Sequence, residues 1–144
     1  MTRAFIFDLD GTLIDSIADI AEAVNRALED HGFPRRPREA FPKFIGEGVQ
    51  KLVERAVPAD ALPRIDLARV MQDYLRHYAD TWRRETRVYD GLPEVISSLR
   101  QRGMKTAVLS NKPDHFTRLC CDHFFAPGSP LEGFPLLRQH LVLL

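Results

Sequence analysis

The stretch Ala4-Phe5-Ile6-Phe7-Asp8-Leu9-Asp10-Gly11-Thr12 decides the fold. Four apolar residues without alternation, halted by an acid, predict a short strand buried on both faces, as in a parallel sheet. Gly11 then lets the backbone turn sharply. A second run of the same kind, Met104 to Leu109, stops at Ser110-Asn111-Lys112-Pro113. Two buried strands separated by helical sequence predict an α/β fold with an α insertion.

The intervening chain reads as helices. Ser16 with Asp19 resembles an N-terminal capping pair, with Asp standing in for Glu. Ile17, Ile20, Val24 and Leu28 then share one face, and His31-Gly32 supplies the stop. A Pro- and Arg-rich link from Phe33 to Arg38 leads to Gly46-Glu47-Gly48, followed by a helix carrying Val49, Leu52, Val53, Ala56 and Val57. Pro58 to Pro63 breaks it. Leu67, Val70, Met71, Tyr74, Leu75, Tyr78 and Trp82 form the apolar stripe of a third helix, expected to be helix-bundle core. Residues 15–86 are therefore expected to form one all-helical block, with 1–14 and 87–144 making the α/β part. In that second part Asp90-Gly91-Leu92-Pro93 opens a helix with Val95, Ile96 and Leu99 on its face, closed by Gly103. Pro113 is placed as a first-turn proline before a helix from Asp114 to Phe125.

The 144 residues suit about one domain, and 44% hydrophobic with 28% charged residues marks a globular chain rather than a disordered one. Lys and Arg balance Asp and Glu to a net charge of zero, which argues against nucleic acid or an anionic membrane as main partner. No apolar run approaches the roughly 18 residues of a membrane helix. MTRAFIFDLDG lacks the pattern of a signal peptide. Cys120 and Cys121 are adjacent, a poor basis for a disulfide or a zinc site, so they are expected to be buried thiols of a reduced, cytoplasmic chain.

Ligands of open parallel sheets bind outside the carboxyl ends of the strands. The first strand ends in Asp8 and Asp10, the second in Ser110, Asn111 and Lys112. Two carboxylates two residues apart can divide the roles of nucleophile and acid/base if their surroundings separate their pKa values. Mg²⁺ would take carboxylate and carbonyl oxygens there, and the Ser110 hydroxyl with the amides opening the next helix would hold phosphate oxygens. Plainer readings stand beside these. Asp8 and Asp10 also suit turn capping, Lys112 a solvated first-turn lysine, and Glu47 an acid complementing a helix dipole. Arg83-Arg84-Glu85 with Arg87 reads as a solvated helix end, and the five histidines show no ligand spacing.

Asp8-Leu9-Asp10-Gly11-Thr12-Leu13-Ile14-Asp15-Ser16 resembles the first motif (DxDGT) of the haloacid dehalogenase superfamily. Tyr89-Asp90-Gly91-Leu92-Pro93, Gly103 and Ser110-Asn111-Lys112-Pro113 are similar to the run into the second motif in its phosphoglycolate phosphatase branch. The resemblance implies a Rossmann-like parallel-sheet core, here incomplete, with an inserted all-helical cap over residues 15–86. It implies a Mg²⁺-dependent phosphatase acting on a small phosphorylated metabolite. Asp8 would be the nucleophile and Asp10 the acid/base, with Mg²⁺ held by the Asp8 carboxylate and the Asp10 main-chain carbonyl. Ser110, Asn111 and Lys112 would bind phosphate, and Gly46, Glu47 and Gly48 of the cap would contact substrate.

The family pattern also calls for a later lysine and a later acidic pair in a Gly-Asp context. After Lys112 the chain has no lysine, after Asp122 its only acid is Glu132, and it contains no Gly-Asp. A leucine-rich tail, Leu136 to Leu144, follows Gly133-Phe134-Pro135 instead. The expectation is a truncated or frameshifted phosphatase, marginally stable and prone to dimerise into a homodimer through uncovered apolar faces. The alternative, from a different class, is a catalytically impaired fragment whose helical block serves binding or dimerisation.

Overall fold

The computed structural model describes residues 4–128. The leucine-rich tail, and with it the segment from Ser129 onward assigned to the α/β part, lies outside the described residues, as do residues 1–3. The chain divides into two compact units, Met1–Asp15 with Arg87–Leu144 and Ser16–Thr86.

In the first, here the sheet unit, strands β1 (Ala4–Phe7) and β4 (Lys105–Val108) pair in parallel, with Ala4 opposite Lys105 and Phe7 opposite Val108. The Leu109 amide extends the ladder by donating to the Phe7 carbonyl at 2.9 Å. This register brings Asp8–Asp10 and Ser110–Lys112 out at the same end of the strands. After β1, the Leu9 carbonyl accepts from the amides of Thr12, Leu13 and Ile14, and the Gly11 amide donates to the Ile14 carbonyl at 2.9 Å. That tight coil needs the positive φ of Gly11, 77°. Leu9, Leu13 and Ile14 are fully buried.

A two-residue ribbon, absent from the sequence reading, follows. Strand β2 (Ile14–Asp15) runs antiparallel to β3 (Arg87–Val88), so the chain leaves and re-enters this unit at paired residues. Helix α4 (Leu92–Gln101) opens on Gly91 at φ 78°, and α5 (Asp114–Phe124) buries Phe116, Cys120, Cys121 and Phe124. Both cysteines are buried thiols outside any disulfide, and burial pushes the Cys121 thiol up to about 12.

Three expectations change here. β1 is formed but not buried on both faces: Ala4, Phe5 and Ile6 are exposed, Ile6 at 61%. A strand is covered on both faces only when helices flank its sheet, and among the described residues β1 pairs with β4 alone. Val95 is also exposed, leaving Ile96 as the buried contact of α4. Pro113 is the N-cap of α5, with extended ψ of 136°, rather than its first-turn residue.

The second, helical unit holds α1 (Ile17–Asp30), α2 (Gly48–Ala56) and α3 (Leu67–Thr81), with short 3₁₀ turns over Arg38–Lys43 and Leu62–Arg64. Ile20, Val24 and Leu28 of α1 are buried, as are Val53, Val70, Tyr74 and Tyr78; Phe41 from the first 3₁₀ turn is fully enclosed. Burying each such side chain contributes about 1.5–3 kcal/mol. Tyr74 and Tyr78 stack at 5.7 Å between ring centres. The stop after α1 forms as the sequence implies: Gly32 takes φ 75°, its amide donates to the Glu29 carbonyl, and that of Phe33 to Leu28.

The capping pair does not form. Ser16 makes no side-chain capping bond, and Asp19, 2% exposed, turns to a strand of chain 66 residues away. Its carboxylate accepts from the Glu85 amide (3.0 Å), the Thr86 amide (2.9 Å) and the Thr86 hydroxyl (2.6 Å). Three donors satisfy a buried charge better than one local amide would. His31 and His77 are engaged as well, meeting Asp73 at 2.9 Å and Asp30 at 2.6 Å across α1 and α3.

Candidate active site

Four of the side chains singled out in sequence meet at the carboxyl ends of β1 and β4. Asp8 follows β1 directly and accepts from the Leu9 amide at 2.7 Å and from the Ser110 hydroxyl. Ser110 in turn accepts from the Lys112 amide at 3.2 Å, which closes the turn after β4. The Lys112 ammonium reaches across to Asp10, 2.8 Å and 3.1 Å from its two carboxylate oxygens. Its side chain is 3% exposed and that of Asp10 13%. Lys112 is therefore not a solvated first-turn lysine. It is the buried counter-charge of the second acid, a pair that is costly to break because either partner alone would be an uncompensated buried ion. Thr117 of α5 steadies the turn by donating its hydroxyl to the Lys112 carbonyl at 3.1 Å. Asn111 lies on the same turn and is exposed.

Asp8 reaches solvent by surface area, yet protein atoms crowd its carboxyl closely enough that loss of water pushes its pKa above the usual carboxylate range. The charge of Asp10 adds to that rise. The Leu9 amide, the Ser110 hydroxyl and Lys112 oppose it. The charged form of Asp8 is therefore disfavoured, a cost that a nearby cation would lower.

Hard oxygen donors of this kind suit Mg²⁺, which takes one or two carboxylates and fills its remaining positions with water and substrate phosphate. Asp8 and Asp10 place two carboxylates at one strand end, a donor set that fits such an ion. Among the described residues, no group of three or more His, Cys, Asp or Glu gathers to hold a metal by itself.

Gly46, Glu47 and Gly48 belong to the helical unit. Glu47 is the N-cap of α2 and pairs with Arg55 of the same helix, while Gly46 and Gly48 hold φ of 120° and 83°. Arg55 also donates to the Phe44 carbonyl at 3.4 Å, so the turn is tied into its own unit. The sequence reading missed the Lys112–Asp10 pair, since the two residues lie 102 positions apart and only the strand pairing unites them.

The family model described as haloacid dehalogenase-like hydrolase matches residues 2–129. A plasmid-encoded phosphoglycolate phosphatase of Cupriavidus necator is 42% identical over 111 residues, 76% of this chain and 48% of that protein. A phosphoglycolate phosphatase of Nitrosospira multiformis is 38% identical over 118 residues, 80% of this chain and 52% of its own. The crystal structure of a predicted phosphoglycolate phosphatase from Haemophilus somnus superposes with a TM-score of 0.80 at 26% identity, covering 96% of this chain and 65% of that one. The chain spans about half the length of the curated relatives it matches. With the two acids after β1 and the serine–lysine turn after a parallel β4, the match along nearly the whole chain makes the assignment: the protein belongs to the haloacid dehalogenase-like hydrolases.

Proposed function

We propose that the chain carries the nucleophile-bearing part of a Mg²⁺-dependent phosphatase for a small phosphomonoester resembling 2-phosphoglycolate. The observation that supports this most is Asp8, poised beside Asp10, Ser110 and Lys112 at the carboxyl ends of two parallel strands. In this reading Asp8 attacks phosphorus in line, an Asp8 oxygen–phosphorus bond forms and the bond to the leaving alkoxide breaks. Asp10 delivers a proton to the alkoxide, then takes one from the water that hydrolyses the phospho-aspartyl group, releasing phosphate and restoring Asp8. Ser110 and Asn111 orient the phosphate oxygens. Lys112 moves from Asp10 toward those oxygens as substrate arrives, which frees Asp10 for its proton. The Asp8 carboxylate and the Asp10 main-chain carbonyl would hold Mg²⁺. Bound there, the ion offsets repulsion between an anionic nucleophile and an anionic phosphate.

The helical unit, residues 16–86, is the cap in this reading, with Gly46, Glu47 and Gly48 selecting the leaving group. The buried, reduced cysteines suit a cytoplasmic setting. Among the described residues no helix is long and apolar enough to cross a membrane. The exposed Phe5 and Ile6 would be the contact of a homodimer, which sedimentation tests.

The decisive experiment measures Mg²⁺-dependent phosphate release from 2-phosphoglycolate and from an aryl phosphate. Asp8→Asn should abolish it, a loss of about 10³-fold or more, and EDTA should do the same. Release that survives Asp8→Asn overturns the reading. Phosphate retained on Asp8 without release supports the alternative, an impaired fragment that accepts a phosphoryl group and does not turn over.

A further inference from the structure

The helical unit contains a cavity of about 460 Å³ that the reaction above does not use. Its wall includes Arg26, Arg35, Arg36, Arg38 and Arg84 against three carboxylates, Asp19, Glu22 and Glu85. The carboxylates are already committed. Glu22 pairs with Arg26 at 2.7 Å and Arg35 at 2.5 Å, and Glu85 lies 3.6 Å from Arg38. Asp19 is occupied by the Glu85 and Thr86 amides and the Thr86 hydroxyl. Arg36 and Arg84 have a different footing. Arg36 donates from Nε to the Ala56 carbonyl at 2.6 Å, and Arg84 from Nε to the Asp80 carbonyl at 3.0 Å. Neither pairs with a carboxylate among the described residues, so two guanidinium charges on the wall lack an acid.

The arginine-bearing arm is also fixed in place. Asn25, 5% exposed, donates to the Arg36 carbonyl at 3.0 Å and accepts from the Arg36 amide at 2.7 Å. A held backbone spends less entropy when the side chains beside it engage a ligand. The volume lies within the range of about 300–1,000 Å³ common for small-molecule sites. Planar guanidinium forks recognise oxyanions in two-point contacts, which a monovalent halide cannot make.

We propose that this cavity binds a compact oxyanion of charge −2 or more, at a site separate from the Asp8 centre. The ligand is a phosphoryl- or carboxylate-rich metabolite small enough to sit between the 35–38 arm and α1. Arg36 and Arg84 supply its uncompensated counter-charge, and Arg38 exchanges Glu85 for the ligand.

The test is calorimetric titration of the full chain with inorganic pyrophosphate, in buffer freed of divalent metal by a chelating resin and at ionic strength matched by potassium chloride. One saturable site is expected. Arg84→Gln and Arg38→Gln, both altering exposed side chains, should each weaken it by on the order of tenfold, and Ser110→Ala in the sheet unit should leave it unchanged. Arg36→Gln should weaken it further. If that variant does not fold, as circular dichroism would report, Arg38→Gln and Arg84→Gln still decide. Citrate as a parallel probe assigns the source: tighter pyrophosphate means a phosphoryl ligand, tighter citrate a polycarboxylate, and both uphold the site. Binding that ignores the arginine variants, that Ser110→Ala abolishes, or that chloride at equal ionic strength reproduces overturns the proposal, as does the absence of binding. Because the titration reads binding without divalent metal or turnover, failure of the phosphatase reading leaves this result standing.

Discussion

The two units of this chain solve the burial problem in opposite ways. In the helical unit, α1 and α3 each bring an apolar stripe that the other covers, and Phe41, Val53, Val70, Tyr74 and Tyr78 are enclosed within 71 consecutive positions. In the sheet unit the strand that leads into the candidate site, β1, leaves Phe5 and Ile6 in solvent. A helix satisfies its own backbone and needs one apolar partner. A parallel strand needs neighbours on both edges and helices over both faces, all of them distant in sequence. The candidate site therefore lies, among the described residues, beside the less enclosed strand face.

The comparison breaks first at Tyr78. Tyr78→Ala should destabilise the helical unit by about 3–5 kcal/mol, the usual range for truncating an enclosed aromatic. Denaturant melts would read this, and a cost below 1 kcal/mol would mean that the stripe is not a core. Next comes the Asp19 clasp. Asp19→Ala leaves two amides and a hydroxyl without their acceptor, for a cost of about 3 kcal/mol. Hydrogen exchange should show the Glu85 and Thr86 amides losing protection, and Asp19→Asn should recover part of it.

Asp8 tests the other unit through pH. Its pKa is raised by crowding and by Asp10, so the folded state disfavours its charge. The contribution is favourable below the unfolded carboxylate value and is lost as pH rises through the folded one. Asp8→Asn should therefore raise the melting temperature at pH 7 relative to the parent and leave it nearly unchanged at pH 3. A variant less stable at pH 7 would show that the Leu9 and Ser110 bonds outweigh the crowding. The smallest effect belongs to the strand face. Ile6→Ser should change stability by no more than about 0.5 kcal/mol, whereas Ile20→Ser in α1 should cost several times that. Equal costs would mean that β1 is covered in solution, for instance by a second copy of the chain.

Much of the candidate site was readable in the chain because its parts are local. The acids follow four apolar residues, the serine and lysine follow another such run, and the glycine between Asp10 and Thr12 marks the turn. The stripe of α3 and the Gly32 stop were readable for the same reason, since one helical period carries the information. What escaped is non-local. Asp19 looked like a capping residue because an acid three positions past Ser16 usually is one, and nothing nearby announced Thr86. Lys112 looked equally like a solvated side chain or a phosphate contact. The ribbon of Ile14–Asp15 with Arg87–Val88 is too short to show a period.

The sequence alone determined that two strands end in clustered polar and charged residues and that a helical block lies between them, because spacing and turn chemistry act within a few residues. Only the tertiary structure decided which charges meet. The parallel register sets Lys112 on Asp10, and the return of the chain at Glu85 and Thr86 gives Asp19 its three donors. Such pairs answer to burial, since an ion removed from water must find its counterpart wherever the fold has placed it.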